Sequence, residues 1–286
     1  MKDYKKHKLK FNSYLENLYH SDKAMIIYKV DNGYNIYTDF SKKTILTNKN
    51  INNFFNSFSN KKYLKETDLC IGFFGYEILC NILNLKIKNQ KKLNFYKGIF
   101  YKPETVIKIR DKIRIFSNIK RHKFKKHFQQ TKILSPFELN IHFPKYKKIF
   151  NFFSKKIQQG ETYQIKICTK YKNKSIINPV NFFWKLMKVN SSPESFMIRD
   201  KDFSIVSCSP ETLLHKKGKN IITKPIAGTI KKNIKINKKK ALKFFRSNDK
   251  ETKEHNMIVD MERNDLSRIC VPSSVKILKK KYVEEY

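Results

Sequence analysis

The chain has 286 residues, of which 40% are hydrophobic and 14% aromatic, and its 62 lysines and arginines outnumber its 24 acidic residues to give a formal net charge of +38. This hydrophobic content is enough for a packed core and excludes a chain that is disordered throughout. No run approaches the roughly 18–20 uncharged apolar residues that a membrane span requires, and the basic N-terminus lacks the apolar region of a secretory signal.

The positive charge has two interpretations. A strongly basic protein attracts nucleic acid or anionic membranes. A very AT-rich gene also enriches lysine, asparagine, isoleucine, phenylalanine and tyrosine together, as is seen here. The lysines are spread over nearly the whole chain, and neither an RNP-type aromatic signature nor zinc-finger spacing occurs. We therefore favour the compositional interpretation, expect no specific nucleic-acid or membrane partner, and keep a non-catalytic nucleic-acid-binding protein as the less favoured alternative.

The cysteines are odd in number, far apart and never arranged as Cys-x-x-Cys; they are Cys70, Cys80, Cys168, Cys208 and Cys270. This pattern indicates buried thiols in a reducing compartment rather than a disulfide framework or a zinc site. We therefore expect a cytoplasmic protein.

The first half of the chain, residues 1–140, alternates short strand-like runs with turns. The runs AMIIYKV and YNIYTDF flank an Asp-Asn-Gly turn centred on Asn32, which predicts a hairpin because Asn-Gly favours the positive φ of such turns. The run TVIKIRDKIRIFS alternates around Asp111 and predicts a second hairpin. In the apolar run IGFFGYEIL, Gly72 and Gly75 predict a bend or a close backbone approach.

The second half, residues 141–286, opens with a helix. Apolar residues recur at helical spacing from Tyr146 to Ile157, and Gly160 follows where that helix should end. The segment TYQIKICTKY, residues 162–171, alternates and predicts a strand with one polar face. The segment NPVNFFWKLMKVN predicts a helix capped by an asparagine that a proline follows.

The segments FMIRD, FSIVSCS and TLLHKKGKNIITKP predict further strands, the last with a turn at Gly218. Strands dominate and helices punctuate them, which predicts an α+β fold rather than a regular βαβ series. The polar, lysine-rich stretch 118–140 predicts a linker. The length also suits two ordinary domains, so we expect one domain over 1–140 and another over 141–286.

The scarce carboxylates gather around residue 250, in SNDKETKEHNMIVDMERNDLSR. On a helix over residues 250–262, Glu251 and Glu254 continue the apolar stripe of Met257 and Ile258. Two interpretations stay open. Acidic residues near the start of a helix complement its dipole and remain solvated. Alternatively, two partly buried carboxylates need a cation, and oxygen ligands of this kind suit Mg²⁺.

Two upstream segments favour a functional interpretation. The segment SCSPETLL places Glu211 directly after a strand and a proline, and TKPIAGTI places a proline and a glycine between strand segments, with the hydroxyl of Thr229 beside them. Each segment alone is common in turns. The order SPE, then PIAGT, then ExxEHxMIVDxxRND is much more specific.

In this order the residues resemble the chorismate-utilising enzymes: component I of anthranilate synthase, component I of aminodeoxychorismate synthase, and the isochorismate and salicylate synthases. IQQGETYQIKIC is similar to the family's G-x-x-YQ segment, NSSPESFMI to its N-P-x-P-[YF] segment, IGFFGYEI to its G-x-x-GY motif and VPSSVKI to its GSV strand. The resemblance implies a large, mostly antiparallel β-sheet sandwich flanked by helices. It also implies a component I-like region over 1–140 and the first part of the chorismate-binding catalytic domain over 141–286.

The resemblance implies roles for individual residues. In this family Mg²⁺ holds the ring carboxylate of chorismate, so Glu254 is implied as a Mg²⁺ ligand and Glu251 as a second or water-mediated one. Glu211 matches the glutamate that acts as general acid and base while the 4-hydroxyl leaves. The substrate-binding loop is implied for Ala227, Gly228 and Thr229. The implied partners are chorismate and a glutamine amidotransferase subunit that supplies ammonia.

Ala227 bears on the product. Many aminodeoxychorismate synthases carry a lysine there, PIKGT, which attacks C2 of chorismate as a covalent nucleophile. Alanine has no nucleophile, so direct attack by ammonia is the simpler expectation. This favours the lyase reaction of anthranilate synthase, on the route to tryptophan. The alternative is the transaminase-like aminodeoxychorismate synthase, on the route to p-aminobenzoate and folate.

Other positions depart from the family pattern. Clear LLES and RYSF segments are missing from the sequence, and Pro193-Glu194-Ser195 stands where tryptophan-sensitive anthranilate synthases read Pro-Tyr-Met. These departures argue against feedback by tryptophan. The chain stops at KKKYVEEY, which the resemblance places within the catalytic domain. The resemblance therefore predicts a C-terminally truncated fragment that lacks half of the active site, is inactive alone and exposes unpaired strand edges.

Overall fold

The computed structural model describes residues 14–58, 65–83, 85, 95–119, 131–231, 236–279 and 281–285. The strands in these ranges are β1 (Met25–Val30), β2 (Gly33–Ile45), β3 (Ile71–Phe74), β4 (Gly98–Ile109), β5 (Ile113–Ser117), β6 (Lys132–Ile133), β7 (Glu138–Leu139), β8 (Tyr171–Lys172), β9 (Ser175–Ile176), β10 (Glu194–Arg199), β11 (Ser204–Ser209), β12 (Thr212–Lys217) and β13 (Asn220–Lys224). The helices are α1 (14–19), α2 (Ile51–Asn56), α3 (Glu77–Ile82), α4 (Phe143–Gln158), α5 (Pro179–Val189), α6 (Lys238–Ser247) and α7 (Asp249–Ser267).

These elements form two compact units. One consists of the described residues within Met1–Lys125 and Pro179–Tyr286, and the other of those within Lys126–Asn178. The contacts thus group the first part of the chain with its last part. The linear division at residue 140, which rests on composition and on the family resemblance, stays a prediction about domain organisation. Nearly half of its expected linker, residues 120–130, lies outside the described residues, and the rest contains β6 and β7.

A seven-stranded antiparallel sheet dominates the larger unit. Its strand order is β11-β10-β1-β2-β4-β3, and β5 also pairs with β4. Strand β4 pairs with β3 and β5 along the same edge: β3 lies beside Gly98–Tyr101, and β5 lies beside Thr105–Ile109. The hairpins predicted around Asn32 and Asp111 are confirmed as β1–β2 and β4–β5.

The sheet buries side chains on both faces. Met25 and Ile27 pack with Phe183 of α5 on one face, whereas Ile26 packs with Tyr101 on the other. Successive strand residues point to opposite faces, so the unbroken apolar run in β1 serves two clusters. Fully burying each such side chain stabilises the fold by about 1.5–3 kcal/mol.

The close backbone approach predicted for Gly72 is confirmed. A Cβ atom added there would lie 1.9 Å from the carbonyl oxygen of Ile99 on the neighbouring strand β4. Gly75 follows the same strand, and its N–H donates to the carbonyl oxygen of Lys97 at 2.7 Å. A side chain at Gly72 would therefore push β3 away from β4.

A buried arginine joins the sheet to helix α1. Arg199, at the end of β10, donates to the carbonyl oxygens of Leu18, Tyr19 and Lys23. The last carbonyls of a helix have no partner within it, and the planar guanidinium has donors for several of them. Burial lowers the pKa of Arg199 to about 10, so the group remains charged at neutral pH.

The next residue, Asp200, forms a second polar network. Its carboxylate accepts a hydrogen bond from the hydroxyl of Tyr101 and lies 2.5 Å from Nζ of Lys43. Burial by itself would raise the pKa of Asp200, but the hydrogen bonds from Lys43, Tyr101 and the N–H of Lys201 lower it. The carboxylate therefore favours the folded state when it is ionised.

The smaller unit contains helix α4 and two short strand pairs, β6–β9 and β7–β8. The predicted helix is confirmed, with Gly160 just beyond its end at φ +75°. The strand predicted over residues 162–171 is wrong except at Tyr171, where β8 begins. A strand requires a hydrogen-bonded neighbour, and among the described residues β7 pairs only with Tyr171 and Lys172 of this region.

The remaining predicted elements of the second half are present. Helix α5, the hairpin β10–β11 and the hairpin β12–β13 occur where the sequence predicts them, and α5 packs on β10 and β11. The antiparallel sheet with flanking helices confirms the α+β class. Within the described ranges, no helix is both long and apolar enough to cross a lipid bilayer.

Candidate functional site

The candidate site begins at the hairpin β12–β13, which follows strand β11 in the chain. Gly218 adopts φ +59° at its turn, where the sequence predicts one. Pro225 follows β13 directly, and because proline has no N–H to donate, the strand ends there. Residues 225–231 then continue without regular structure. We call this segment the 225–231 loop; it contains the three residues implied for substrate binding.

Helices α6 and α7 meet at Asn248. This residue ends α6, and its side chain accepts a hydrogen bond from the N–H of Glu251 at 3.2 Å, which caps the start of α7. Asparagine is among the best residues for this role. Asp249 and Glu251 lie in the first turn of α7, where the helix dipole favours negative charge. The helix predicted over residues 250–262 is confirmed and extends to Ser267.

A cavity of about 650 Å³ lies among β13, the 225–231 loop, α6, α7 and residues 275–285. This volume is typical of sites for small molecules. Cations outnumber anions in its lining, which includes Lys224, Lys238, Arg246, Arg263, Lys276, Lys279 and Lys281 against Glu251, Glu262, Glu284 and Glu285. The lining therefore attracts small anions. His255 also lines the cavity, and its pKa is lowered by burial and by the charge of Lys281.

Gly228 and Glu251 bring the loop against helix α7. Gly228 has φ +77°, and a Cβ atom built on it would lie 2.9 Å from Oε2 of Glu251 and 2.9 Å from the ring of Phe245. Ala227, Gly228, Thr229 and Glu251 all line the cavity. The structure thus brings together four of the six residues that the sequence predicts for the site.

The other two predicted residues lie close by but are not among those that line the cavity. Glu254 is half-buried, one turn further along α7 than Glu251. Glu211 is exposed, and its Oε1 accepts a hydrogen bond from the N–H of Ile226 at 2.9 Å. Because Ile226 lines the cavity, the carboxylate of Glu211 lies beside the 225–231 loop, next to the cavity wall.

The residues present fit a magnesium site in which the protein supplies only two carboxylate ligands. Within the described ranges there is no group of three or more His, Cys, Asp or Glu side chains placed to hold a metal. Mg²⁺ is commonly held by one or two carboxylates, with water and ligand oxygens completing its octahedron. Glu251 and Glu254, half-buried on adjacent turns of α7, form such a donor pair. No ion pair joins either of them to a lysine or arginine in the described part of the chain.

Glu262 is a cavity-lining residue to which the sequence analysis assigns no role. Its Oε2 accepts a hydrogen bond from Oγ1 of Thr223 at 2.7 Å, and both residues line the cavity. Burial raises the pKa of Glu262, and the charges of Glu211 and Asp265 add to this, although the bond from Thr223 opposes it. Glu262 follows Val259 by three residues on α7, and Val259 also lines the cavity. Residues three apart on a helix share a face, and this spacing is the sequence signal for the position of Glu262.

The family model described as chorismate binding enzyme matches residues 14–286. Anthranilate synthase component 1 of Archaeoglobus fulgidus is 27% identical over 223 residues, which cover 76% of this chain and 53% of that protein. Aminodeoxychorismate synthase component 1 of Bacillus subtilis is 35% identical over 131 residues, which cover 46% of this chain and 28% of that protein.

The fold has a counterpart among solved structures. Anthranilate synthase component I from Streptococcus pneumoniae TIGR4 superimposes with a TM-score of 0.68 at 21% identity, over 92% of this chain and 64% of that one. This likeness supports the fold. The chain spans about half the length of the Archaeoglobus relative, at 53% of it. Since the family model matches almost the whole chain, this protein belongs to the chorismate binding enzyme family.

Proposed function

We propose that this chain is the chorismate-binding part of component I of an aminating enzyme of the anthranilate synthase type, which converts chorismate and ammonia to anthranilate and pyruvate. The contact between Gly228 and Glu251 carries the proposal, because it joins the PIAGT loop to the ExxEH helix at one cavity. Chorismate is a dianion, and the lysine-rich lining suits it. The activity is proposed for the whole protein, since the chain matches 53% of its Archaeoglobus relative.

Each predicted residue has a defined role in this proposal. Glu254 and Glu251 would hold Mg²⁺, which when bound neutralises the ring carboxylate of the substrate. Gly228 leaves room for the carboxylate of Glu251 beside the loop. Thr229, an exposed residue of the loop, offers a hydroxyl to the substrate. Glu211, when protonated, would give its proton to the 4-hydroxyl oxygen, which leaves as water while ammonia adds at C2.

Ala227 supports the anthranilate product. It lines the cavity at the position where a lysine would be needed for covalent attack on C2, and its methyl group cannot attack. The second candidate is component I of aminodeoxychorismate synthase, which the 35% identity to the Bacillus subtilis protein favours. The product distinguishes the two, because only anthranilate formation releases pyruvate.

The nucleophile and the cellular setting follow from the same proposal. A glutamine amidotransferase subunit would supply the ammonia. All five cysteines are free thiols; Cys80 is buried, whereas Cys168 is exposed. Free thiols persist in a reducing compartment, so we place the proposed reaction in the cytoplasm.

Calorimetric titration of chorismate into the full chain, with and without Mg²⁺, tests the proposal. We expect binding that requires Mg²⁺ and that is lost when Glu251 and Glu254 are both replaced by alanine. Asp260→Ala is the matched control, since Asp260 is an exposed carboxylate on the same helix that pairs with Arg263. Binding that is independent of Mg²⁺, or no binding of chorismate, would contradict the proposal. Adding chorismate, Mg²⁺ and ammonium to the whole protein, for which the activity is proposed, and measuring anthranilate fluorescence and pyruvate then identifies the product.

A further inference from the structure

Among the described residues, one side-chain hydrogen bond holds Glu262 in the cavity wall. Thr223, on β13, donates its hydroxyl hydrogen to Oε2 of Glu262, on α7, at 2.7 Å. This bond leaves Oε1 available to carry a proton. Both residues line the cavity, so the carboxyl group lies where a ligand can reach it.

A second carboxylate, Glu211, is attached to the same short stretch of chain. Glu211 accepts a hydrogen bond from the N–H of Ile226, three residues after Thr223. Glu211, just before β12, and Glu262, on α7, are thus both bonded to the stretch Thr223–Ile226, and the charge of Glu211 acts on Glu262. Two neighbouring carboxylates ionise less readily together than either does alone, so such a pair retains a proton at higher pH.

We propose that Glu262 is a proton-holding carboxyl group of the cavity, coupled to Glu211 across Thr223–Ile226, and that it donates a hydrogen bond to an anionic oxygen of the ligand. This inference rests on the proposed function and adds a ligand-contacting acid to the same site. A neutral carboxyl group donates to a carboxylate or hydroxyl oxygen, whereas an ionised one repels a dianion.

The surrounding charges act in both directions. Glu211 and Asp265 favour the protonated form of Glu262, and so does burial. The cations of the cavity favour the ionised form; Lys224 lies on β13, Arg263 on α7, Arg246 on α6, and Lys276, Lys279 and Lys281 on the segment 275–285. Burial and the two acidic neighbours outweigh the hydrogen bond from Thr223, so the pKa of Glu262 is raised.

Carbon-13 NMR of the full chain, labelled at glutamate carboxyl carbons and free of ligand, tests the coupling. Glu262→Gln identifies the resonance. We expect its titration midpoint to lie above the ordinary glutamate range, to fall in Glu211→Gln, and to rise in Thr223→Val, which removes the bond that favours the ionised form. Glu284→Gln, a change at another cavity glutamate, is the matched control and should leave the midpoint in place. An ordinary midpoint, or one that Glu211→Gln does not move, would overturn the inference.

The affinity for chorismate between pH 5 and 8 tests the ligand contact. If binding needs the proton of Glu262, the affinity of the wild-type chain falls above the midpoint by up to about tenfold per pH unit, and Glu262→Gln loses this slope. An equal slope in the wild type and in Glu262→Gln would overturn the contact. Absence of chorismate binding at every pH would instead overturn the proposed function, while the NMR titration would still report on the pair.

Discussion

The carboxylate of Glu251 occupies the space that a side chain on Gly228 would need. The two groups come from motifs that lie more than twenty positions apart in the sequence, and the distance from a Cβ atom on Gly228 to Oε2 of Glu251 would be 2.9 Å. The backbone of Gly228, at φ +77°, is also in a region that other residues adopt only with strain. This contact makes the glycine a sensitive position for both stability and ligand binding.

Replacing Gly228 with alanine should cost about 1–2 kcal/mol of unfolding free energy through backbone strain. It should also displace Glu251 and reduce the Mg²⁺-dependent affinity for chorismate. Urea unfolding and calorimetric titration measure the two effects. Gly218→Ala is the matched control, because Gly218 has φ +59° and nothing lies within 4 Å of the added methyl group. If both variants bind chorismate like the wild type, Gly228 does not position Glu251.

Replacing Arg199 with methionine should destabilise the fold by about 3 kcal/mol, because three backbone carbonyl oxygens each lose a hydrogen bond from the guanidinium. The oxygen of Leu18 keeps its bonds from Ser21. Arg199→Lys should lose less, since an ammonium group keeps the charge but cannot reach all three acceptors in one plane. Arg268→Met, a change at an exposed arginine, is the control. Urea unfolding of the three variants gives the order of their unfolding free energies. Equal stability of Arg199→Met and the wild type would contradict the role of this side chain.

The stability of the fold should depend on pH through Asp200. Its pKa is lower in the folded protein than in the unfolded chain, so its contribution is fully present above the unfolded pKa and is lost as pH falls through the folded one. Asp200→Asn should therefore be less stable than the wild type at neutral pH, and the difference should shrink on acidification. Unfolding curves at a series of pH values measure this trend. Asp202→Asn, at an exposed site on the same turn, is the matched control.

Glu262 should affect stability in the opposite sense. Its pKa is raised in the folded protein, so its contribution is fully present below the unfolded pKa and is lost as pH rises through the folded pKa. Glu262→Gln keeps an acceptor for Thr223 and removes the ionisation. The variant should therefore gain stability relative to the wild type as pH rises above the glutamate range. A constant difference in unfolding free energy between the two proteins across this pH range would contradict the expectation.

Ala227→Lys should give the cavity a nucleophile that the wild type does not have. If the loop binds chorismate as proposed, the new amine is expected to attack C2 and form a covalent adduct with the mass of chorismate less one water. Intact-protein mass spectrometry after incubation with chorismate and Mg²⁺ detects it. Thr229→Lys, two positions along the same loop, is the control for a lysine that merely lines the cavity. Adduct on neither variant would argue against the assigned orientation of the substrate.

Much of the local structure follows from the sequence. The Asn-Gly turn, the alternation of TVIKIRDKIRIFS and the Asn-Pro start of α5 each predict an element that the structure contains, because turn geometry and side-chain periodicity act over a few residues. The motif order SPE, PIAGT and ExxEH also predicts the family, which the match over residues 14–286 confirms. The strand predicted around Ile165 does not form, because a strand also needs a hydrogen-bonded partner strand, and alternation within a segment does not show whether one is present.

Other features depend on the tertiary structure. The sequence groups Glu211, Thr229 and Glu254 through a resemblance, whereas the fold puts Glu251 against Gly228 and leaves Glu211 on the outer side of Ile226. It also pairs Glu262 with Thr223, although 39 positions separate them. Such pairings arise when a hairpin and a helix enclose one cavity, and no local pattern records which side chains will then face each other. Local sequence patterns therefore predict most of the elements, the α+β class and the family. Which carboxylates share the cavity depends on the tertiary structure, because burial and electrostatic coupling depend on distances in space.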